Sequence, residues 1–344
     1  MADTGATIAG CVAHARRRLP RYEADLLVSR SLGVPRSHLY AFGERVVDPA
    51  SSERVAAAVA RRQDGEPVAY ILGERGFWGL DLEISPDVLV PRGETETLVA
   101  TALPLIAAHA RVLDLGTGSG AIALAIASER TDATVVATDI DPACIDLCRR
   151  NAERLGIAVE TRVVDCLEGL EGRFDVIVSN PPYVDDRDPR LQRGDLRFEP
   201  RCALQGGPNG GLDFIARLVG AAPDHLQPGG WLCVEHGYDQ AERVARLFDV
   251  HAYCEIQCHL DYEARPRVTV GSTGRYVGNG LVRPGARYGN GRGRGRCGWA
   301  GGDPTHSRGE GAPLPARSGR HWGATGSPER SADRGTGADT EMPA

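Results

Sequence analysis

The sequence predicts an α/β fold: a doubly wound, mostly parallel sheet with an antiparallel edge hairpin, plus a small N-terminal helical domain. Three observations predict it. From Ala110 onward, apolar stretches of strand length alternate with stretches of helical spacing, which is the signature of βα units. Residues 1–75 carry helical spacing alone. The last two strand-like stretches, "CEIQCHLD" and "RPRVTVG", have no helix between them and so read as an edge hairpin.

The elements follow in order. "YEADLLVSRSLGV" has apolar residues at helical spacing, stopped by Gly33 and Pro35. "DPASSERVAAAVARRQDG" offers a Ser N-cap, alanine-rich propensity and a Gly stop. Residues 1–75 are therefore expected to form a helical bundle. "GFWGLDLEISPDVLVP", Gly76 to Pro91, alternates enough for a β-hairpin, and residues 76–96 read as a linker. In residues 97–276 the strands are "ARVLDLG", "ATVVATD", "VETRVVD", "FDVIVSN" and "GGWLCVEHG". The helices are "AIALAIASE", "PACIDLCRRNAERLG", "GLDFIARLVGAA" and "DQAERVARLF". Pro142 opens the second of these helices and Gly156 closes it.

Residues 277–344 hold 17 of the 43 glycines, with many Pro, Ser and Arg and no apolar period. Such a segment cannot bury enough surface to offset its ordering entropy, so it is expected to be disordered. An RNA-binding tail is the functional alternative. Without it, residues 1–276 carry 30 Arg against 40 acidic residues, a net charge of −10. That body is a poor general binder of phosphate backbones.

Composition excludes several chemistries. All 40 basic residues are arginine, which removes Schiff-base lysines and the Walker lysine. The nine cysteines are scattered, and the pairs Cys144/Cys148 and Cys254/Cys258 lack the second half of a zinc site. They read as thiols of a reducing cytosol. No apolar run reaches membrane-span length, and the N-terminus lacks the pattern of a signal peptide. A cytoplasmic monomer with no metal is expected.

"DLGTGSG" places Gly116, Thr117, Gly118, Ser119 and Gly120 where the first strand turns into its helix. Glycines there permit positive φ and close approach of backbone to ligand. A tight βα turn is the bland alternative. The second strand ends at Asp139, 19 residues after Gly120, where a carboxylate can grip ribose hydroxyls. Asp141, beside Pro142, is the expected cap of the next helix. The third strand ends at Asp165, where an adenine edge would lie. Together they point to an adenosine-type ligand, with NAD and S-adenosylmethionine (SAM) both fitting.

The stretch "FDVIVSNPPYVDD" decides between them. The strand emerges at the switch point of the sheet and ends on Asn180, Pro181, Pro182 and Tyr183. Two prolines fix φ and offer carbonyls without N–H groups, Asn180 adds a carbonyl and an NH2, and Tyr183 adds a flat ring. This acceptor-rich cradle suits a planar group carrying an NH2, held in line with a sulfonium methyl.

Asn-Pro-Pro-Tyr in this setting resembles the SAM-dependent methyltransferases that act on planar NH2 groups of adenine, guanine or glutamine. Residues 10 to 275 resemble the HemK/PrmC-type protein-glutamine methyltransferases. The stretches that carry the resemblance are "EPVAYILGERGFWGLDLEISPDVLVPRGETETLV", "VLDLGTGSGAIALA" and "VSNPPYVDDRDPRLQRGDLRFEP". The resemblance implies a class I methyltransferase fold and methylation of the Gly-Gly-Gln glutamine of class I peptide chain release factors. Gly116 to Gly120 would pass under SAM, Asp139 would hold its ribose, and Asn180 to Tyr183 would hold the glutamine amide. The helical domain would recognise the release factor. Cys166 stands where many members carry an aromatic residue beside the adenine, and is expected at the cofactor. Gly93 replaces a proline of the family's linker motif near Arg92, Glu94 and Glu96, which is expected to loosen that loop. The rival readings are a ribosomal-protein glutamine methyltransferase, a nucleic-acid amino-methyltransferase and a non-catalytic SAM- or RNA-binding protein.

Overall fold

A computed structural model of the chain describes residues 6–277 and 280–282. The expected disorder of the tail beyond Val282 lies outside the described residues. Across the expected boundary at Tyr276, Arg275–Val277 and Gly280–Val282 pair as a short antiparallel ribbon.

The N-terminal helices are α1 (Ile8–Arg16), α2 (Arg21–Leu32), α3 (Arg36–Ala41), α4 (Pro49–Gln63) and α5 (Val68–Leu72). Ile8, Val12, Val28, Leu39, Val55 and Val59 form their common core. Gly33 closes α2 in the left-handed conformation. The cap of α4 is Asp48 rather than a serine, and its side chain accepts from Ser51 N at 2.9 Å. The reason is local: Pro49 suits the first helical position, where its missing N–H costs nothing, so the cap falls one residue earlier. Asp25 is buried inside this bundle and is held by Arg16 at 2.7 Å and by the Tyr40 hydroxyl.

The hairpin of β1 (Glu74–Phe77) and β2 (Leu80–Glu83) is shorter than expected and starts earlier. Its two turn residues, Trp78 and Gly79, both have positive φ, which gives the turn the twist that a tight hairpin needs. Trp78 is held there by Glu96, which accepts from its backbone N–H, and by Glu129, which accepts from its indole N–H. The chain then passes Pro86 and reaches a 3-10 turn at Gly93–Thr95 and α6 (Glu96–Ala102).

The main sheet has seven strands in the order β10-β11-β9-β6-β3-β4-β5. They are β3 (Arg111–Leu115), β4 (Thr134–Asp139), β5 (Glu160–Val163), β6 (Phe174–Ser179), β9 (Leu226–Glu235), β10 (Cys254–Leu260) and β11 (Pro266–Ser272). A minor pair, β7 (Val184–Asp185) and β8 (Gln205–Gly207), lies after β6. Strand β11 runs antiparallel between β9 and β10, so the expected edge hairpin is present and its second strand is the one inserted into the sheet. Helices α7 (Ala121–Glu129), α8 (Pro142–Leu155), α9 (Asp213–His225) and α10 (Ala241–Val250) cover the faces. Alternate residues of β3 serve two cores: Val112 packs with Leu124 and Val135, while Leu113 and Leu115 pack with Ile215 and Phe248.

Strand order reverses between β3 and β6. Leu115 and Ser179 are register partners at that point, and Ser179 Oγ donates to the Leu115 carbonyl at 2.8 Å. Ligands of open α/β sheets bind at such carboxyl ends. Among the described residues, no helix is long and apolar enough to cross a membrane.

Candidate active site

Two cavities of about 430 Å3 each open at this end of the sheet, and Leu89, Asn180 and Ala203 line both. Asn180 therefore stands on the boundary between the two cavities.

The first cavity is built around the β3–α7 turn. Gly116, Gly118 and Gly120 all have positive φ. At Gly116 and Gly118 a Cβ would meet nothing, so these glycines serve the turn's conformation, whereas at Gly120 it would press on Cys148 Sγ of α8. Thr117 and Ser119 are buried between them and line the cavity. Thr117 Oγ1 donates to Asp114 Oδ2 at 2.7 Å, and Ala123 N donates to the same oxygen at 3.0 Å. Asp114 Oδ1 is buried without a partner, and burial pushes the Asp114 pKa up to about 7.

Asp139 lies at the end of β4 and ties the turn together. Its Oδ2 accepts from Gly118 N at 2.9 Å and its Oδ1 from Asp141 N at 3.1 Å. A carboxylate offers about four lone-pair sites, so capacity remains for a ligand's hydroxyls. Burial raises its pKa, opposed by these two N–H groups. Asp141 caps α8 by accepting from Ala143 N at 2.8 Å. Cys166 lines the cavity at positive φ, beside Asp165. The aromatic ring on this wall is Phe214 of α9, which the sequence reading missed. Arg217, one helical turn further on, pairs with Asp165 at 2.9 Å.

The second cavity forms around Asn180, Pro181 and Tyr183; Pro182 lines the first. Asn180 Nδ2 donates to Thr95 Oγ1 at 3.1 Å. The Tyr183 hydroxyl donates to Glu235 Oε1 at 3.3 Å, and its carbonyl accepts from Gln240 Nε2 at 2.8 Å. Burial pushes the Tyr183 phenol up, and it stays protonated. Glu235 is buried at the end of β9; burial lifts its pKa to about 7, and Thr95 acts against that lift. Arg92 pairs with buried Glu199 at 2.5 Å, bringing the linker onto the segment that follows β7. Gly93 has open space where a side chain would stand, so no clash enforces glycine there.

Backbone packs against backbone behind the loop. A Cβ on Gly206 would strike the Pro182 carbonyl, and one on Gly211 would strike the Tyr183 carbonyl. The sequence reading missed these glycines, Thr95, Glu235 and Gln240. The signal for Glu235 was present: a carboxylate ends the apolar run "WLCVE", just as Asp139 ends "TVVATD".

Comparison with known proteins agrees with this geometry. Residues 94–194 match the "Methyltransferase small domain" family, and residues 10–73 match the "PrmC N-terminal domain". A "Release factor glutamine methyltransferase" of Xylella fastidiosa is 48% identical over 76% of this chain and 96% of its own length. Its namesake in Pseudomonas aeruginosa is 48% identical over 73% of this chain and 92% of its own. The Escherichia coli protein of that name is 42% identical over 73% and 92%.

Proposed function

The chain belongs to the release factor glutamine methyltransferase family, and on that premise we propose that it moves a methyl group from SAM to the side-chain amide nitrogen of the Gly-Gly-Gln glutamine of class I peptide chain release factors. The observation that carries the reading is Asn180, standing between a cavity lined by the glycine turn, Asp139 and Pro182 and a cavity lined by Pro181 and Tyr183.

The first cavity fits SAM. The glycine turn offers clear space above Gly116 and Gly118. Asp139 has acceptor capacity for a ribose, and Ile122 and Phe214 supply apolar wall. Bound there, SAM would supply an electrophilic methyl on a cationic sulfur. Everything else falls to this chain's residues. Asn180 Oδ1 and the Pro181 carbonyl accept the two hydrogens of the glutamine amide, which fixes its plane. The Tyr183 ring lines the same cavity and limits how that plane can tilt. An amide nitrogen is a weak nucleophile because its lone pair is delocalised, so positioning is the lever these residues hold. Preferential binding of the transition state over the bound amide sets the rate.

The helical domain is the proposed docking surface for the rest of the release factor. Arg62 of α4 joins it to the catalytic region, pairing with Glu23 of α2 at 2.7 Å and with Asp195, beyond the Asn-Pro-Pro-Tyr loop, at 2.7 Å. Contacts remote from the reacting group can supply binding energy used for positioning.

The test is labelled methyl transfer from SAM to purified release factors, ribosomal proteins and nucleic acid, with mass spectrometry of the product. Label on the Gly-Gly-Gln glutamine is expected. Label confined to a ribosomal protein or to nucleic acid overturns the substrate assignment, and no label anywhere overturns the enzymatic one.

A further inference from the structure

We propose that Gln240 is a positioning residue for methyl transfer: its side-chain amide ties three walls of the second cavity together and so fixes where the Asn-Pro-Pro-Tyr loop presents the Pro181 carbonyl and the Tyr183 ring. The inference rests on the reading that this cavity takes the substrate glutamine.

A loop with two prolines is hard to anchor. Pro181 and Pro182 have no N–H to give, so across them the loop can be held only through its carbonyls, by donors that come from elsewhere. Gln240 is such a donor. Its Nε2 donates to the Tyr183 carbonyl and to the Gly210 carbonyl, each at 2.8 Å, and its Oε1 accepts from Gly237 N at 2.8 Å. Both hydrogens and the oxygen are in use, and these partners fix the orientation of the amide. Turned over, its oxygen would face two carbonyls and its NH2 would face an N–H. The side chain is buried, so a partner left unmet there costs its full desolvation.

Tyr183, Gly210 and Gly237 all line the second cavity, as does Gln240 itself. They come from three separate loops: after β6, between β8 and α9, and between β9 and α10. Neighbouring contacts reinforce the joint. Arg243, in the first turn of α10, donates from Nη2 to the Asn209 carbonyl at 2.6 Å, and Asp185 Oδ2 accepts from Gly210 N at 3.0 Å. Helix capping does not account for the Gln240 side chain. The residue precedes α10, but its side chain caps no helix N–H, and Val244 N is served by its backbone carbonyl. What the side chain holds is the cavity wall. A misplacement of about 1 Å at a reacting group can cost about a hundredfold in rate, so a loop that slackens by that much loses its use as a cradle.

The test uses full-length protein in excess over a purified release factor at saturating SAM, so that a single turnover is followed. The rate constant and the amplitude of methyl transfer are read separately, with SAM affinity and stoichiometry measured by calorimetry. Gln240→Glu keeps an acceptor for Gly237 N but sets a carboxylate against two carbonyls. Its rate constant at saturating enzyme is expected to fall about tenfold to a hundredfold. Gln240→Met has no hydrogen to donate and no charge, and its rate constant is expected to fall by less. Both variants are expected to keep SAM affinity and stoichiometry. A merely structural role would do the reverse: the amplitude and the stoichiometry would drop with the folded fraction, and the rate constant would stay at the wild-type value. That reverse pattern, a wild-type rate constant in Gln240→Glu, or a slower transfer in Gln240→Met than in Gln240→Glu overturns the proposal. Where Gln240→Glu does not fold, the rate constant of Gln240→Met decides. Asn180→Ala separates the two levels. If it keeps full turnover, the amide-cradle reading itself has failed. If it is inactive while both Gln240 variants keep the wild-type rate constant, only the positioning role has failed.

Discussion

The two cavities that meet at Asn180 are built by different means. The cofactor side is largely one local piece of backbone: a strand end, a turn of three positive-φ glycines and a helix start, clasped by Asp139 from the neighbouring strand. The substrate side is assembled from distant pieces. Thr95 precedes α6, Gln240 precedes α10, Glu235 ends β9, and Gly206 and Gly211 back the loop. Backbone recognition can be carried by a short motif, because the shape of a turn is set by neighbours in sequence. Side-chain orientation cannot, because the partners that set it arrive only with the tertiary fold.

That contrast is sharpest at Asn180. Asn180→Asp is expected to leave SAM binding intact while single-turnover methylation falls by roughly a hundredfold or more, each 1.4 kcal/mol being about tenfold. The new carboxylate keeps an acceptor for the glutamine NH2 but loses the hydrogen given to Thr95. Near-normal turnover would mean that the substrate side does not depend on the donor half of this amide, and the contrast would collapse.

On the cofactor side the expected effect is smaller and falls on binding. Asp139→Ala removes the acceptor for Gly118 N and Asp141 N along with the proposed ribose grip. Losing hydrogen bonds to a charged group costs about 1.5–3 kcal/mol, so SAM affinity by calorimetry is expected to drop roughly ten- to a hundredfold. Unchanged affinity would reject the ribose role and leave Asp139 as a clasp for the turn.

A backbone test bears on the substrate side. Gly211→Ala places a methyl group against the Tyr183 carbonyl at positive φ. Overpacking of this kind costs about 1–3 kcal/mol, so the melting temperature is expected to fall along with turnover. Full stability and full turnover would show that the loop after β6 gives way easily, contrary to a cradle braced from behind.

How far the sequence could be read follows the same line. The strands and helices of the α/β region fell where period and punctuation put them. "PACIDLCRRNAERL" is α8, opened by Pro142 and closed by Gly156. The cap of α4 and the extent of the β1–β2 hairpin were misplaced, because Pro49 and Pro86 decide those boundaries more strongly than the residues that were weighed. Gly116 to Ser119, Asp139, Asn180 and Pro182 line one cavity, while Asn180, Pro181 and Tyr183 line the other and Gly120 lines neither. Thr95 was not singled out, since a threonine in a polar turn carries no signal until Asn180 is placed beside it. Phe214 was missed for a related reason: in "GLDFIARLVGAA" its position is one more apolar residue on a helix, and nothing local turns it toward a cavity.

The smallest expected effect compares one buried carboxyl on each side, Asp114 under the glycine turn and Glu235 under the tyrosine. Burial holds both pKa values up at about 7. In the unfolded chain they ionise near the ordinary values of 3.8 and 4.5. Between those limits the folded state binds more protons than the unfolded one, so stability falls as pH rises. Their contribution is complete below the unfolded pKa values and gone once pH has passed about 7. The acids with lowered pKa, such as Asp25 beside Arg16, act in the opposite sense, but only as pH falls toward and below the ordinary carboxylate range. Buried His236 and half-buried His259, whose pKa values are lowered, also lose stability on acidification and overlap the window from above. The readout must therefore be a difference. The melting temperature of Asp114→Asn minus that of the wild-type protein is expected to rise between pH 5.5 and pH 8. The amide carries no charge to bury at the higher pH, while the histidines are common to both proteins. The same difference for Glu235→Gln should rise less, because Arg267, Thr95 and the Tyr183 hydroxyl all favour its ionised form, whereas Asp114 has Thr117 and the Ala123 N–H on one oxygen and nothing on the other. A flat or falling difference for Asp114→Asn would show that this carboxyl is ionised throughout, with an ordered water or another unseen donor at Oδ1 stabilising the charge.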